Sequence, residues 1–110
     1  MKIVDKNIND VTVVSVEGSI DALTAPEITE YMNSLISSGK IKLVADFSGV
    51  DYTSSAGLRV LLAAVKETRS KGGDLFLVGI QPDVEKVLSL SGFTSIIKVF
   101  DEEEQAVSSF

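Results

Sequence analysis

Segments with strand character and segments with helix character alternate along all 110 residues, and glycines or turn sequences separate them. Five segments are typical of strands, at residues 2–6, 11–17, 41–47, 75–80 and 96–100, and four are typical of helices, at 25–37, 55–71, 83–91 and from Asp101 onward. Strands that alternate with helices form mostly parallel sheets with right-handed crossovers. The order predicts one α/β domain over residues 1–110, with a mixed sheet of four to five strands and about four helices.

The first two strands are predicted to form a hairpin. Residues 7–10 have the composition of a turn, and the second strand is rich in β-branched valine. Gly18 is expected to end that second strand. Thr24 is expected to cap the first helix, Pro26 suits its first turn, and Gly39 lies just past its end.

The middle of the chain predicts the core. In residues 41–47 one face is expected to be buried and the other wetter, with Ile41, Leu43, Ala45 and Phe47 on the first and Lys42, Val44 and Asp46 on the second. The next helix has an apolar stripe of Leu58, Leu61, Leu62 and Val65, and Gly72-Gly73 ends it. Residues 75–80 are apolar on both faces, which indicates a central strand.

The last third predicts two short helices around a short strand. The helix over 83–91 should turn Val84, Val87 and Leu88 inward and end at Gly92. Asp101, with Glu104 three residues later, resembles a capping box at the start of the last helix.

Composition excludes several function classes. The chain has no histidine and no cysteine, so it lacks the usual general base, the usual metal ligands and any disulfide. No phosphate-binding or dinucleotide-binding glycine loop occurs, so no cofactor, no metal and no enzyme activity are predicted. A net charge of −6 argues against nucleic acid as a partner.

Nothing in the sequence predicts a membrane protein. The charged start of the chain is unlike a signal peptide, and the apolar run at 60–65 is too short to span a bilayer. A cytoplasmic location is expected.

The segment at 51–58 is the candidate site. It follows a predicted strand and opens the most apolar helix, where backbone N–H groups lack partners and where ligands of α/β sheets usually bind. Ser54 and Ser55 are both candidates for the helix cap, and the two need not have the same role, since one can cap while the other points outward. Gly57 in the first helical turn indicates either a close approach by a partner or close packing of the helix on the sheet.

These residues resemble the signature of the STAS domain, whose simplest members are bacterial anti-sigma factor antagonists. Residues 53–58 read Thr-Ser-Ser-Ala-Gly-Leu and are followed by Leu61-Leu62, close to the family pattern Asp-Ser-Ser/Thr/Ala-Gly-Leu before an apolar helix. The resemblance extends over nearly the whole chain, through residues 16–21, Thr24-Ala25, Gly72-Gly73, Val87-Leu88 and 91–93.

The resemblance implies a phosphorylation switch. In the family the unmodified antagonist binds an anti-sigma factor that is also a serine kinase, the kinase phosphorylates the loop serine, and a serine phosphatase reverses the modification. By position Ser55 matches the phosphorylated serine, with Ser54 the second candidate. The implied partner-binding loop comprises Asp21, Thr53, Ser54, Ser55, Ala56 and Gly57.

One position departs from the family pattern. Ser54 stands where the family usually has Asp. This favours an alternative, a STAS adaptor or scaffold module that is never phosphorylated and serves another signalling or transporter complex. For either function we expect a monomer or a weak dimer.

Overall fold

The computed structural model describes residues 1–110. Its strands are β1 (Lys2–Ile8), β2 (Val11–Ile20), β3 (Lys42–Thr53), β4 (Asp74–Val78) and β5 (Val99–Phe100). Its α-helices are α1 (Ala25–Ser37), α2 (Ser55–Ser70), α3 (Pro82–Leu90) and α4 (Glu103–Val107), and one turn of 3-10 helix covers Phe93–Ser95.

The five strands form one mixed sheet in the order β1-β2-β3-β4-β5. The first pair is an antiparallel hairpin, with Ile8 opposite Val11, and Asn9 takes a positive φ of 59° in its turn. All later pairs are parallel. The predicted α/β class, hairpin and order of elements are confirmed.

Helices cover both faces of the sheet and enclose two cores. Alternate residues of β2, β3 and β4 pack under α1, α2 and α3, and the main core includes Val14, Leu43, Ala45, Leu75 and Leu77 with Ile28, Met32, Leu61 and Leu88. The opposite face forms a smaller core of Val11, Val13, Val44, Phe76 and Val78 under Ala106 of α4. The strand predicted at 75–80 covers Asp74–Val78, and Leu75 to Val78 are buried on both faces as predicted, whereas Gly79 and Ile80 lie beyond the strand and are half-buried.

Several predictions of faces were wrong in part. Val44 was expected on a wetter face but is fully buried, because α4 packs over that side of the sheet. In α2 the buried stripe runs through Val60, Leu61, Ala64 and Val65, and Leu58 and Leu62 are only partly buried at its edges. In α3 Val84 and Leu88 are buried, and Val87 is partly exposed.

Three strands continue beyond their predicted ends. β1, predicted at 2–6, reaches Ile8, so the predicted turn at 7–10 narrows to residues 9 and 10. Gly18 does not end β2, because its φ of +117° at a register shift lets the strand continue to Ile20. The predicted strand at 41–47 likewise extends to Thr53 as β3. Ser19 pairs with Tyr52 and Ile20 with Thr53, so the loops that follow β2 and β3 leave the sheet side by side.

The chain after Gly92 differs most from prediction. The strand predicted at 96–100 is shorter and covers Val99–Phe100, because the 3-10 turn precedes it. The Ile96 carbonyl accepts a hydrogen bond from the Arg69 guanidinium at 2.8 Å. The last helix begins one residue late. Glu102 is its N-cap, and its backbone N–H donates to the Gln105 side chain at 3.2 Å, which makes a capping box without Asp101.

Candidate functional site

The candidate site lies where two parallel strands end. The backbone N–H of Ser54, which follows β3, donates to the carbonyl of Ile20, the last residue of β2, at 2.8 Å. This bond continues the strand pairing by one residue and joins the loop at 21–24 to the start of α2. The structure thus brings the two predicted parts of the site, Asp21 and residues 53–57, together.

Asp21 organises its own loop. Its Oδ1 accepts hydrogen bonds from the backbone N–H groups of Leu23 at 2.9 Å and Thr24 at 3.0 Å. These donors, first that of Thr24 and then that of Leu23, lower the pKa of the Asp21 carboxyl from its ordinary value. Asp21 therefore behaves as a turn residue at a strand end.

Thr24 occupies the N-cap position of α1 without capping it through its side chain. Its hydroxyl donates to the Ser19 carbonyl at 2.8 Å and accepts from the Asp21 backbone N–H at 3.0 Å. The predicted capping role was wrong, because the loop itself uses this hydroxyl. Thr24 instead ties the start of α1 to the end of β2.

The two adjacent serines have different environments. Ser54 is the N-cap of α2, half-buried, and its Oγ accepts from the Ala56 backbone N–H at 3.2 Å. Ser55 is the first helical residue and is exposed. Its Oγ accepts one long hydrogen bond, from Arg59 Nη1 at 3.4 Å. One hydroxyl therefore serves the fold, while the other is presented to solvent.

Gly57 is required by packing within the chain. A Cβ at this position would lie 2.0 Å from Thr53 Oγ1 and 3.1 Å from Cγ2 of Ile20. Of the two interpretations that the sequence left open, close packing of α2 on the sheet explains the glycine. Thr53, Ala56 and Gly57 are all buried, so the surface of the predicted loop consists of Asp21, Ser54 and Ser55.

Several contacts and exposed side chains around the site were not predicted from the sequence. The Ser19 hydroxyl donates to Asp51 Oδ1 at 2.8 Å across 32 positions of the chain, a pairing with no local signal. Arg59 stands four residues after Ser55, a spacing that places two side chains on one helix face and was open to detection. Leu23 is 87% exposed and Tyr52 is 53% exposed, so large apolar side chains also stand in solvent next to the site.

A shallow groove between α1 and α2 opens beside the serines. Small apolar side chains form its floor and two charged groups lie among its lining, which includes Ala25, Pro26, Ala56, Val60, Glu30 and Arg59. The exposed Leu23 and Tyr52, together with this groove, are typical of a surface that contacts a protein.

The Ser55 hydroxyl has a single side-chain partner. The one side chain bonded to Ser55 is a guanidinium, which stays protonated and cannot accept the hydroxyl proton. No cluster of three or more potential metal ligands is present. None of the helices combines the length and the hydrophobicity of a membrane span. An exposed serine at a helix start therefore lies beside a second strand-end loop and a partly apolar groove on an α/β domain.

The chain belongs to the STAS family, because the STAS domain model matches residues 2–106. It is 32% identical to BtrV of Bordetella bronchiseptica over 110 residues, which cover 100% of this chain and 95% of that protein. It is 31% identical to the anti-sigma-B factor antagonist of Listeria monocytogenes over 90 residues, 82% of this chain and 79% of the relative.

The fold agrees with solved structures of the family. The crystal structure of an anti-sigma factor antagonist from Mycobacterium paratuberculosis superposes with a TM-score of 0.86 at 25% identity. The match covers 98% of this chain and 92% of that one. The mixed five-stranded sheet with its four helices thus has the STAS fold.

Proposed function

We propose that this protein is an anti-sigma factor antagonist that binds an anti-sigma factor with serine kinase activity and is switched off by phosphorylation of Ser55. The observation that carries the proposal is that Ser54 and Ser55 have different roles at the start of α2. Ser54 caps the helix, so Ser55 is exposed and its hydroxyl makes no backbone contact. The name of the Listeria relative supports the same function.

The proposed contact surface surrounds Ser55. It comprises the loop at 21–24, Tyr52 and the α1–α2 groove. Leu23 and Tyr52 supply apolar area that a partner would bury, and Asp21 keeps the first loop in its folded shape. Because the chain carries a charge of −6, a partner with a basic surface would be attracted over distances of about the Debye length, roughly 8 Å in physiological salt.

The modification changes charge without changing the fold. The Ser55 Oγ forms a bond to the γ-phosphorus of ATP, the bond from that phosphorus to the β,γ-bridging oxygen breaks, ADP leaves, and the hydroxyl proton passes to the kinase or to water. The phosphate adds a charge of about −1.5 to −2 and three acceptor oxygens. At a helix N-terminus this group is well tolerated in the free protein, whereas in a protein interface it must lose its water.

The exchange of the family Asp for Ser54 preserves the local structure. Both residue types are good N-caps, and Ser54 makes the expected bond to the Ala56 N–H. What the exchange removes is a negative charge next to the phosphorylated position. We therefore assign the change at Ser54 to recognition by the partner rather than to the shape of the loop.

Phosphorylation is tested with the purified chain, ATP and the ATP-binding anti-sigma factors of the same organism. We expect one of them to add about 80 Da to the peptide that contains Ser55. The label should be lost in Ser55→Ala and retained in the matched variant Ser54→Ala. A label that survives in Ser55→Ala and disappears in Ser54→Ala would move the acceptor by one residue and contradict the assignment.

Binding is tested with the same partner by calorimetry. A phosphate or carboxylate at position 55 that costs about 3 kcal/mol weakens the complex roughly a hundredfold. We expect this loss in Ser55→Asp and near-native affinity in Ser55→Ala. Equal affinity of Ser55→Asp and the native chain would refute the switch.

The second candidate function is a STAS adaptor that is never phosphorylated. The loss of the family Asp at position 54 favours it. Its signature would be stable partner binding in the cell with no modification of the loop at any growth phase.

For the proposed antagonist function, we expect that a serine phosphatase removes the phosphate from Ser55. We also expect that the protein acts in the cytoplasm as a monomer or weak dimer.

A further inference from the structure

The Arg59 guanidinium lies next to the hydroxyl of Ser55. The two residues are one helical turn apart on α2, and Arg59 Nη1 lies 3.4 Å from Ser55 Oγ. Arg59 makes no other hydrogen bond and no ion pair, in contrast to Arg69, which binds Asp74 and the Ile96 carbonyl. A guanidinium carries five N–H donors, so most of its donors are uncommitted.

Two of the carboxylates near the site are already engaged, while Glu30 lies in the groove lining without a hydrogen bond or ion pair. Asp21 accepts bonds from its own loop, and Asp51 accepts the Ser19 hydroxyl. Arg59 is also the sole basic residue between positions 43 and 65. The one side chain that contacts the Ser55 hydroxyl is therefore Arg59, whose guanidinium makes no ion pair and is well suited to bind phosphate.

We infer that Arg59 is the intramolecular counter-ion of phosphorylated Ser55. The inference rests on the proposed function for the origin of the phosphate. Phosphate oxygens extend from Ser55 Oγ into the space that the guanidinium already borders, so the pair can form by rotation of side chains with the backbone of α2 in place. Arginine binds phosphate through two parallel hydrogen bonds, which a single hydroxyl cannot accept.

The pairing gives the modification a second effect on the surface. In the unmodified chain Arg59 lies in the lining of the α1–α2 groove with its charge available to a partner. In the phosphorylated chain the guanidinium turns to the phosphate on its own helix. Phosphorylation then adds an anion at Ser55 and withdraws a cation from the groove at the same time. The phosphorylated state is stabilised within the chain, without help from the partner.

The test uses full-length protein with phosphoserine placed at position 55 by codon suppression, so that no kinase is needed. The second pKa of the phosphate, about 6 when free, is read by ³¹P NMR titration. We expect a value lower in the native chain than in Arg59→Gln by about half a unit or more, since a nearby cation favours the dianion. Arg59→Lys keeps the charge without the planar fork and should give an intermediate value.

The matched control is Lys66→Gln, which removes one positive charge from the same helix. Lys66 is exposed and lies eleven residues from Ser55, a rise of roughly 16 Å along the axis and well beyond the Debye length. The phosphate on Ser55 of the Lys66→Gln variant should have the same second pKa as in the native chain. If Arg59→Gln and Lys66→Gln give the same pKa as the native chain, the inference is overturned.

A thermal measurement separates pairing from a structural role. Without phosphate, Arg59→Gln should unfold within about one degree of the native chain, because Arg59 is exposed and its one bond is long. With phosphoserine at position 55, Arg59→Gln should unfold at a lower temperature than phosphorylated native protein. Equal losses in both forms would overturn the pairing. Failure of every kinase to modify Ser55 would contradict the proposed function and leave these measurements unaffected.

Discussion

At the scale of single residues the site depends on small polar side chains that bond to backbone. Ser54 caps α2, Asp21 gathers two N–H groups of its loop, and Thr24 links that loop to β2. Each satisfies a backbone group that would otherwise lack a partner near the end of an element. The loops around Ser55 are therefore ordered before any partner binds.

Alanine substitutions of the two serines should have different effects on the free energy of unfolding. Ser54→Ala loses the bond to the Ala56 N–H and is expected to lower the free energy of unfolding by about 1 kcal/mol. Ser55→Ala removes no backbone contact and should change it by a few tenths of a kcal/mol at most. Urea unfolding of both variants checks this, and equal losses would mean that the cap assignment is wrong.

Asp21 makes stability depend on pH in a defined direction. Its pKa is lowered in the folded chain, so its contribution is complete above the unfolded value of about 3.9 and is lost as pH falls through the folded value. Asp21→Asn should therefore be less stable than the native chain at pH 7, with a difference that narrows toward pH 3. The control is Asp101→Asn, an exposed carboxylate with no hydrogen bond. A difference independent of pH would contradict the role of the charge.

At the scale of elements, the short α4 buries the second face of the sheet. Ala106 is fully buried over Val44 and Phe76. Phe110, beyond the end of α4, stacks on Phe76 with ring centroids 4.2 Å apart. A helix of five residues has little stability of its own, so it depends on these contacts.

Loss of the stacked ring should loosen α4 locally. Phe110→Ala is expected to lower the free energy of unfolding by about 1 kcal/mol, and Phe110→Leu by less because it keeps apolar area. Hydrogen exchange should become faster in α4 while protection of β3 is less affected. Unchanged exchange of the α4 amides in Phe110→Ala would show that the ring does not hold the helix.

At the scale of the whole molecule, the site lies at the carboxyl ends of two neighbouring inner strands of the sheet. The loops that bear Asp21 and Ser55 leave neighbouring parallel strands, and a backbone bond joins them. Phosphorylation would change the net charge from −6 to about −8 at one edge of the domain. A change of charge at an exposed helix start needs no change of fold.

The sign of the charge at position 55 should determine its effect on stability. The helix N-terminus favours negative groups by about 0.3–1 kcal/mol. Ser55→Asp is therefore expected to be at least as stable as the native chain, and Ser55→Lys less stable. Amide NMR shifts in Ser55→Asp should be confined to the site. Widespread shifts would indicate a conformational switch in place of a local electrostatic one.

Local patterns in the sequence determined the order of the elements, the α/β class, the hairpin and the bounds of α1, because hydrophobic period, proline and glycine act between near neighbours. They also determined that one serine of the pair could cap α2. These features depend on residues a few positions apart, so the local sequence alone is enough to predict them.

Only the tertiary structure decided which serine faces solvent, how far β2 and β3 extend and what covers Val44. Strand length past Gly18 depends on pairing with residues more than 30 positions away, and the burial of Val44 depends on α4, some 60 positions later. The Ser19–Asp51 bond and the join between Ile20 and Ser54 have the same origin. Such contacts have no local period, because distant segments make them only when the sheet forms.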